Sequence, residues 1–133
     1  MLATGTRPTI PDVPGLAEAR PWTNRDLATM THVPPRSLII GGGVVGVEFA
    51  TILAGLGSKV TLLARGDTLL RNSETVAGEM VTESLRGKGV DLRFHAQLSS
   101  VTRPVAGGTV SATVGDENIE VDEIVVALSL IHI

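Results

Sequence analysis

The chain has 133 residues, 43% hydrophobic and 19% charged, with a formal net charge of −3: one domain's worth, able to bury roughly two-thirds of its unfolded surface, and too apolar to be disordered. Negative charge and three aromatic residues in all (Trp22, Phe49, Phe94) remove the case for nucleic acid. No apolar run nears the roughly 20 residues of a membrane span and no signal peptide opens the chain; the lack of cysteine excludes disulfides and thiolate metal sites within it, with the cytoplasm as the expected compartment.

The first 33 residues read as an entry segment rather than a self-sufficient unit. Met1-Leu2-Ala3 fits the end of an apolar strand, which Thr4-Gly5-Thr6-Arg7-Pro8 breaks. Pro11, Pro14 and Gly15 keep the next stretch extended, because proline fixes its own φ and biases the residue before it away from helix. The expected result is a linker, with a short helical turn over Asp26–Met30 that Pro34-Pro35 closes.

From Ser37 the periodicity is clear. Leu38-Ile39-Ile40 predicts a buried strand entering a glycine cluster in which Gly41, Gly43 and Gly46 stand in G-x-G-x-x-G spacing, with Gly42, Val44 and Val45 between them. At a strand-to-helix handover the first glycine permits the tight turn, the second lets backbone approach a pyrophosphate, and the third lets helix and strand pack closely. Free N–H groups and the helix dipole then favour phosphate at the helix N-terminus. The helix follows with Val45, Phe49, Ile52, Leu53 and Leu56 as its expected inward face, and Gly57 as its left-handed stop. Val60–Ala64 predicts the second strand, β-branched and apolar but for Thr61, as for a strand covered on both faces. This βαβ order supplies the context that the glycine spacing needs.

After a polar loop over Arg65–Ser73, Glu74–Lys88 predicts a second helix with Val76, Ala77, Met80, Val81 and Leu85 inward and Glu74, Glu79 and Glu83 solvated. Val90–Phe94 is the third strand. Leu98–Thr102, Thr109–Val114 and Ile119–Val121, separated by Gly107-Gly108 and Gly115-Asp116, form an antiparallel meander in place of a crossover helix. Ile124–Leu128 returns as a buried strand, after which Ser129–Ile133 stops without a cap or turn. The fold class is α/β: a parallel βαβ sheet with an antiparallel β-meander.

Several separated motifs together resemble the flavin-dependent pyridine nucleotide–disulfide oxidoreductases, the group of dihydrolipoamide dehydrogenase, glutathione reductase and mercuric reductase. Ala3-Thr4-Gly5-Thr6-Arg7-Pro8 is similar to that family's second flavin-contacting segment, and Pro11 to Gly15 to its extended link. Gly41-Gly42-Gly43-Val44-Val45-Gly46-Val47-Glu48 is similar to its nicotinamide-nucleotide fingerprint, glutamate included. The resemblance implies a Rossmann-like domain over residues 34–128, an FAD-domain end and linker over 1–33, and a tail over 129–133 that departs from the family's Gly-Arg-x-Pro-Asn continuation. It implies FAD bound in part by Ala3, Thr4 and Gly5, and a nicotinamide nucleotide bound by Gly41–Gly46 and Glu48. In the family Glu48 lies near the nicotinamide and pairs with a flavin-side lysine; by itself, a glutamate in the first turns of a helix could merely favour the dipole. Val44 stands where many members have a tyrosine over the flavin; a valine there is more like mercuric reductase. The implied parent is a homodimer with further FAD and dimerisation domains; the expectation is a truncated or misread reading frame whose fragment binds nucleotide and is not itself catalytic. A stand-alone nucleotide-binding or sensing module remains the alternative.

The end of the second strand selects the nucleotide. An acidic residue there accepts hydrogen bonds from the adenosine ribose, whereas arginine accommodates a 2′-phosphate. This chain has Ala64 where lipoamide dehydrogenases place a glutamate, then Arg65, and Arg71 six residues on, a pair whose planar guanidinium groups suit a phosphate. The expected cofactor is NADPH, with NADH as the alternative because Asp67 in the same loop would repel a phosphate or bond a ribose. His32, His95 and His132 lack metal-ligand spacing and are expected at the surface or in packing, and Ser99-Ser100 lacks a nucleophile context. No catalytic or metal-binding residue is expected.

Overall fold

The computed structural model describes residues 6–8, 11–70, 75–127 and 130–132. In chain order the elements are β1 (Thr6–Pro8), α1 (Asn24–Ala28), β2 (Arg36–Ile40), α2 (Val44–Gly55), β3 (Lys59–Leu63) and α3 (Thr75–Gly87). There follow β4 (Asp91–Arg93), β5 (Leu98–Thr102), β6 (Val110–Val114), β7 (Glu117–Val121), β8 (Glu123–Val126) and β9 (Leu130–His132). Among the described residues no helix is long and apolar enough to cross a membrane.

Three layers result. The middle one is a parallel sheet in the order β4-β3-β2-β8. Its central strands are apolar on both faces because both are covered. Leu38, Ile40, Ile124 and Val126 point to one core, shared with Leu98, Val101, Val110, Ala112 and Val121 of the antiparallel sheet β5-β6-β7. Ile39, Leu62 and Val125 point to the other, shared with Phe49, Ala50 and Leu53 of α2 and Leu85 of α3. Alternation along each strand thus assigns the helices to one side and the meander to the other. The α/β class with a separate meander is borne out.

The helix faces match the expected ones in part: Phe49, Leu53 and Leu85 are buried, and Val45 and Val81 pack against the same core. On α2 the buried residues are Gly46, Phe49, Ala50 and Leu53, while Ile52 and Leu56 are 40% and 54% exposed. Two small residues, Gly46 and Ala50, let the helix approach the sheet most closely along their own line, so that line becomes the inward face. On α3 the inward line runs through Gly78 and Leu85, whereas Val76 and Met80 are exposed at 61% and 67%. Gly57 does terminate α2, at φ +100°, its N–H donating to the Ala54 carbonyl at 3.1 Å.

The stretch read as a linker packs inside. Leu16 and Ala19 are buried against the meander, and the Val101 N–H donates to the Pro14 carbonyl at 2.9 Å. Trp22 runs beside β8 as a single-residue extension of the sheet, with Trp22 N–H to Ile124 O and Val126 N–H to Trp22 O both at 2.8 Å. The helical turn of this segment is α1, capped by Thr23 and Asp26 in a reciprocal box. Arg103, its side chain 7% exposed, locks the arrangement: its guanidinium pairs with Glu123 and donates to the carbonyls of Ala19, Gly108 and Asp122. At the N-terminal end of the sheet Arg36 forks onto Asp122 at 3.0 and 3.1 Å, which holds that carboxyl below its ordinary range. The two chain ends also differ from expectation. Thr6–Pro8, read as a break, pairs antiparallel with Leu130–His132 from the tail.

Candidate functional site

The carboxyl ends of β2 and β3 carry the glycine turn. Gly41 leaves β2 at φ +123°, a conformation closed to other residues without strain, and its N–H donates to the Leu63 carbonyl at 3.0 Å. Gly43 caps α2 with extended backbone (φ −85°, ψ −166°) and no side-chain cap. A Cβ placed there would meet nothing within 4 Å, so the backbone faces open space. At Gly46 a Cβ would lie 1.9 Å from the Gly41 carbonyl oxygen, so the helix can start this close to the turn only because that side chain is absent. The first intrahelical bond runs from Val47 N–H to Gly43 O at 3.0 Å, which leaves the N–H groups of Val44, Val45 and Gly46 ahead of it without intrahelical acceptors. No acidic residue occupies the first turn of α2. The result is a positive helix end opening on an uncovered glycine, an arrangement that accepts a phosphate.

The loop after β3 folds back on this turn. Leu70 N–H donates to the Gly42 carbonyl at 2.8 Å, and Leu69 is buried directly beneath Gly42, whose Cβ would lie 3.1 Å from both Ala64 and Leu69 side chains. Behind it, Gly78 of α3 lies against the Leu69 backbone, with a Cβ position 2.7 Å from its carbonyl oxygen. The loop carrying Arg65 is therefore clamped between the glycine turn and α3. Sequence reasoning missed Gly78 and Leu69; the available signal was a glycine inside an otherwise helical pattern, which marks close packing.

Of the expected site residues, Gly41–Gly46 form the turn, Val44 is 60% exposed at the start of α2, and Glu48 is exposed one helical turn further on. Ala64 is buried, and Arg65 is exposed at the rim just beyond β3. Asp67 lines a hollow of about 470 Å³ against α3 with Thr82, Glu79 and Glu83, while Arg65 lines a different one of about 210 Å³ with His95, Ala96 and Gln97. Ala3, Thr4, Gly5 and Arg71 lie outside the described residues. His32 is exposed with its ring edge-on to Trp22 at 5.9 Å, a packing contact. Among the described residues no group of His, Asp and Glu could hold a metal ion.

A family model described as pyridine nucleotide-disulphide oxidoreductase matches residues 1–128. The chain belongs to that family. Pyridine nucleotide-disulphide oxidoreductases similar to it include a mercuric reductase of Acidithiobacillus ferrooxidans, 35% identical over 127 residues, covering 96% of this chain and 23% of the relative. A glutathione reductase of Burkholderia cepacia is 37% identical over 127 residues, covering 96% and 28%. The chain thus spans about a quarter of the length of the curated relatives that it matches. Among solved members, the HOCl-induced flavoprotein disulfide reductase RclA of Escherichia coli superposes with a TM-score of 0.86 at 26% identity, over 96% of this chain and 29% of that one. The family expected from the motifs is borne out, and the region is a dinucleotide-binding oxidoreductase region.

Proposed function

We propose that residues 34–128 bind NADPH within a longer FAD-dependent reductase, and that this chain alone holds the electron donor without completing a reaction. The observation that carries the reading is the glycine turn: Gly41 makes the bend, Gly46 admits the helix, and Gly43 leaves an uncovered backbone beside three amides without helical acceptors. Those features fit a pyrophosphate, with the Val44, Val45 and Gly46 amides as donors. When bound, the nicotinamide supplies a hydride equivalent, passed in a flavin-containing parent to FAD. Glu48, on the exposed side of α2, would face the nicotinamide half. The FAD-contacting role of Ala3, Thr4 and Gly5 rests on the family resemblance, and so does the homodimeric parent.

The preference for NADPH rests on Ala64, Arg65 and Arg71. Ala64 offers no carboxylate to a ribose, and Arg65 presents an exposed guanidinium at the rim; Asp67, the opposing feature, lines the separate hollow against α3. The water-forming NADH oxidase of Lactobacillus brevis and its engineered NADPH-bound form, at 20% and 22% identity, bear on the fold. The engineered form's five substitutions nevertheless include an Asp→Ala, the next residue Ala→Arg and, six positions after that, Pro→Arg, the spacing of Ala64, Arg65 and Arg71 here. A further Gly→Ala lies eighteen positions before the first of these, and at that spacing this chain keeps Gly46. The arginine pair therefore carries the preference without help from the helix glycine.

Calorimetric titration of the chain tests both parts. NADPH should bind at least tenfold tighter than NADH, about 1.4 kcal/mol, and Arg65→Ala should remove most of that difference. Equal affinities or tighter NADH would overturn the NADPH assignment. Failure to bind either would overturn the dinucleotide reading.

A further inference from the structure

We propose that His95 completes, with Arg65, the subsite for a phosphate on the adenosine ribose, and so acts as a second determinant of the NADPH preference on which this inference rests. The two residues come from different strands but are stitched to one rim. Beyond the last β3·β4 register pair, Leu63 with Arg93, the Ala64 N–H donates to the Arg93 carbonyl at 2.8 Å. The chain then crosses back: His95 N–H donates to Gly66 O at 2.9 Å and Ala96 N–H to Ala64 O at 3.0 Å. These three bonds bracket Arg65 on one side and His95 on the other, so neither backbone can move without the other.

Both residues, with Ala96 and Gln97, line the same hollow of about 210 Å³. That hollow has room for a phosphate group. His95 reaches it from φ +51°, a left-handed conformation shared with Arg20 and Leu70 and one that histidine adopts more readily than most residues. The neighbouring charges are committed elsewhere. Arg93 pairs with Asp91 and Glu117, Arg86 sits over the Phe94 ring at 6.0 Å, and Asp67 lines the hollow with Glu79 and Glu83 on α3. Among the described residues neither Arg65 nor His95 is in an ion pair. An imidazole offers an N–H donor in either protonation state, which a phosphate oxygen accepts and a bare ribose hydroxyl needs far less.

The test compares wild type with His95→Gly, because glycine adopts φ +51° freely and removes only the side chain. NADPH and NADH are titrated, together with adenosine 2′,5′-bisphosphate and AMP as fragments that differ in the same phosphate, and Tm is recorded for each variant. His95→Gly should weaken NADPH and the bisphosphate at least fivefold while NADH and AMP change less than twofold. An unchanged NADPH-to-NADH ratio in a folded variant, or an equal loss for all four ligands, would overturn the His95 role and leave the cofactor reading standing. A wild type without preference for NADPH would overturn both.

Discussion

Gly43→Ala should separate nucleotide binding from folding. The Gly43 backbone is extended, so alanine adopts it without strain, and the added Cβ meets no protein atom within 4 Å. On the folding side two small terms oppose each other. Alanine removes about 0.4–1 kcal/mol of unfolded-chain entropy, and it is a poorer N-cap than glycine by a comparable amount, about 0.5–1 kcal/mol. Stability should therefore stay within about 0.5 kcal/mol of wild type. On the binding side the methyl group projects into the open space before the α2 amides, where the pyrophosphate would lie. Losing one charge-assisted hydrogen bond costs about 1.5–3 kcal/mol, roughly 10- to 150-fold in Kd. Urea unfolding and NADPH titration on the same preparation measure the two quantities. A variant that binds NADPH within threefold of wild type would refute the placement of the phosphates at this glycine.

The other predictions concern the frame that holds the site. Arg103→Ala leaves Glu123 buried without its partner and three carbonyls short of a donor, so urea unfolding should show a loss of about 3–5 kcal/mol; a loss below 1 kcal/mol would contradict the locking role. Gly55→Ala, at a helical position where a Cβ meets nothing, should stabilise the chain by about 0.5–1 kcal/mol and leave nucleotide affinity unchanged. Asp122 has its carboxyl pKa lowered by the Arg36 fork, so its contribution to stability is present above the ordinary value of 3.8 and fades as pH falls through the lowered one. Asp122→Asn should accordingly destabilise the chain slightly at pH 7 and cease to differ from wild type in strong acid, as read by denaturant midpoints across pH.

The middle of the chain was legible because its signals are local. Leu38–Ile40 is a continuous apolar run and Val60–Ala64 is apolar but for Thr61, as suits doubly covered parallel strands, and the glycine spacing lies between them. Helix faces were less legible for a definite reason. Side-chain size pointed inward at Ile52, Leu56, Val76 and Met80, but close approach is governed by the small residues, and Gly46, Ala50 and Gly78 set the rotation of both helices. Leu16 and Ala19 carry no periodic signal at all. Their segment is held against the meander by a bond from the Val101 N–H to the Pro14 carbonyl, partners 87 residues apart in sequence. The candidate site divides in the same way: its glycine turn is one contiguous motif, whereas the meeting of Arg65 with His95 depends on strand pairing across 30 residues.

Amide chemical shifts read directly where the dinucleotide binds. In a ¹⁵N-labelled sample titrated with NADPH, the amide resonances that shift most should be those of Gly41–Gly46 at the start of α2, followed by Arg65 and its neighbours beyond β3. Shifts centred instead on the hollow beside Glu79 and Glu83, or no shift at millimolar NADPH, would contradict the account.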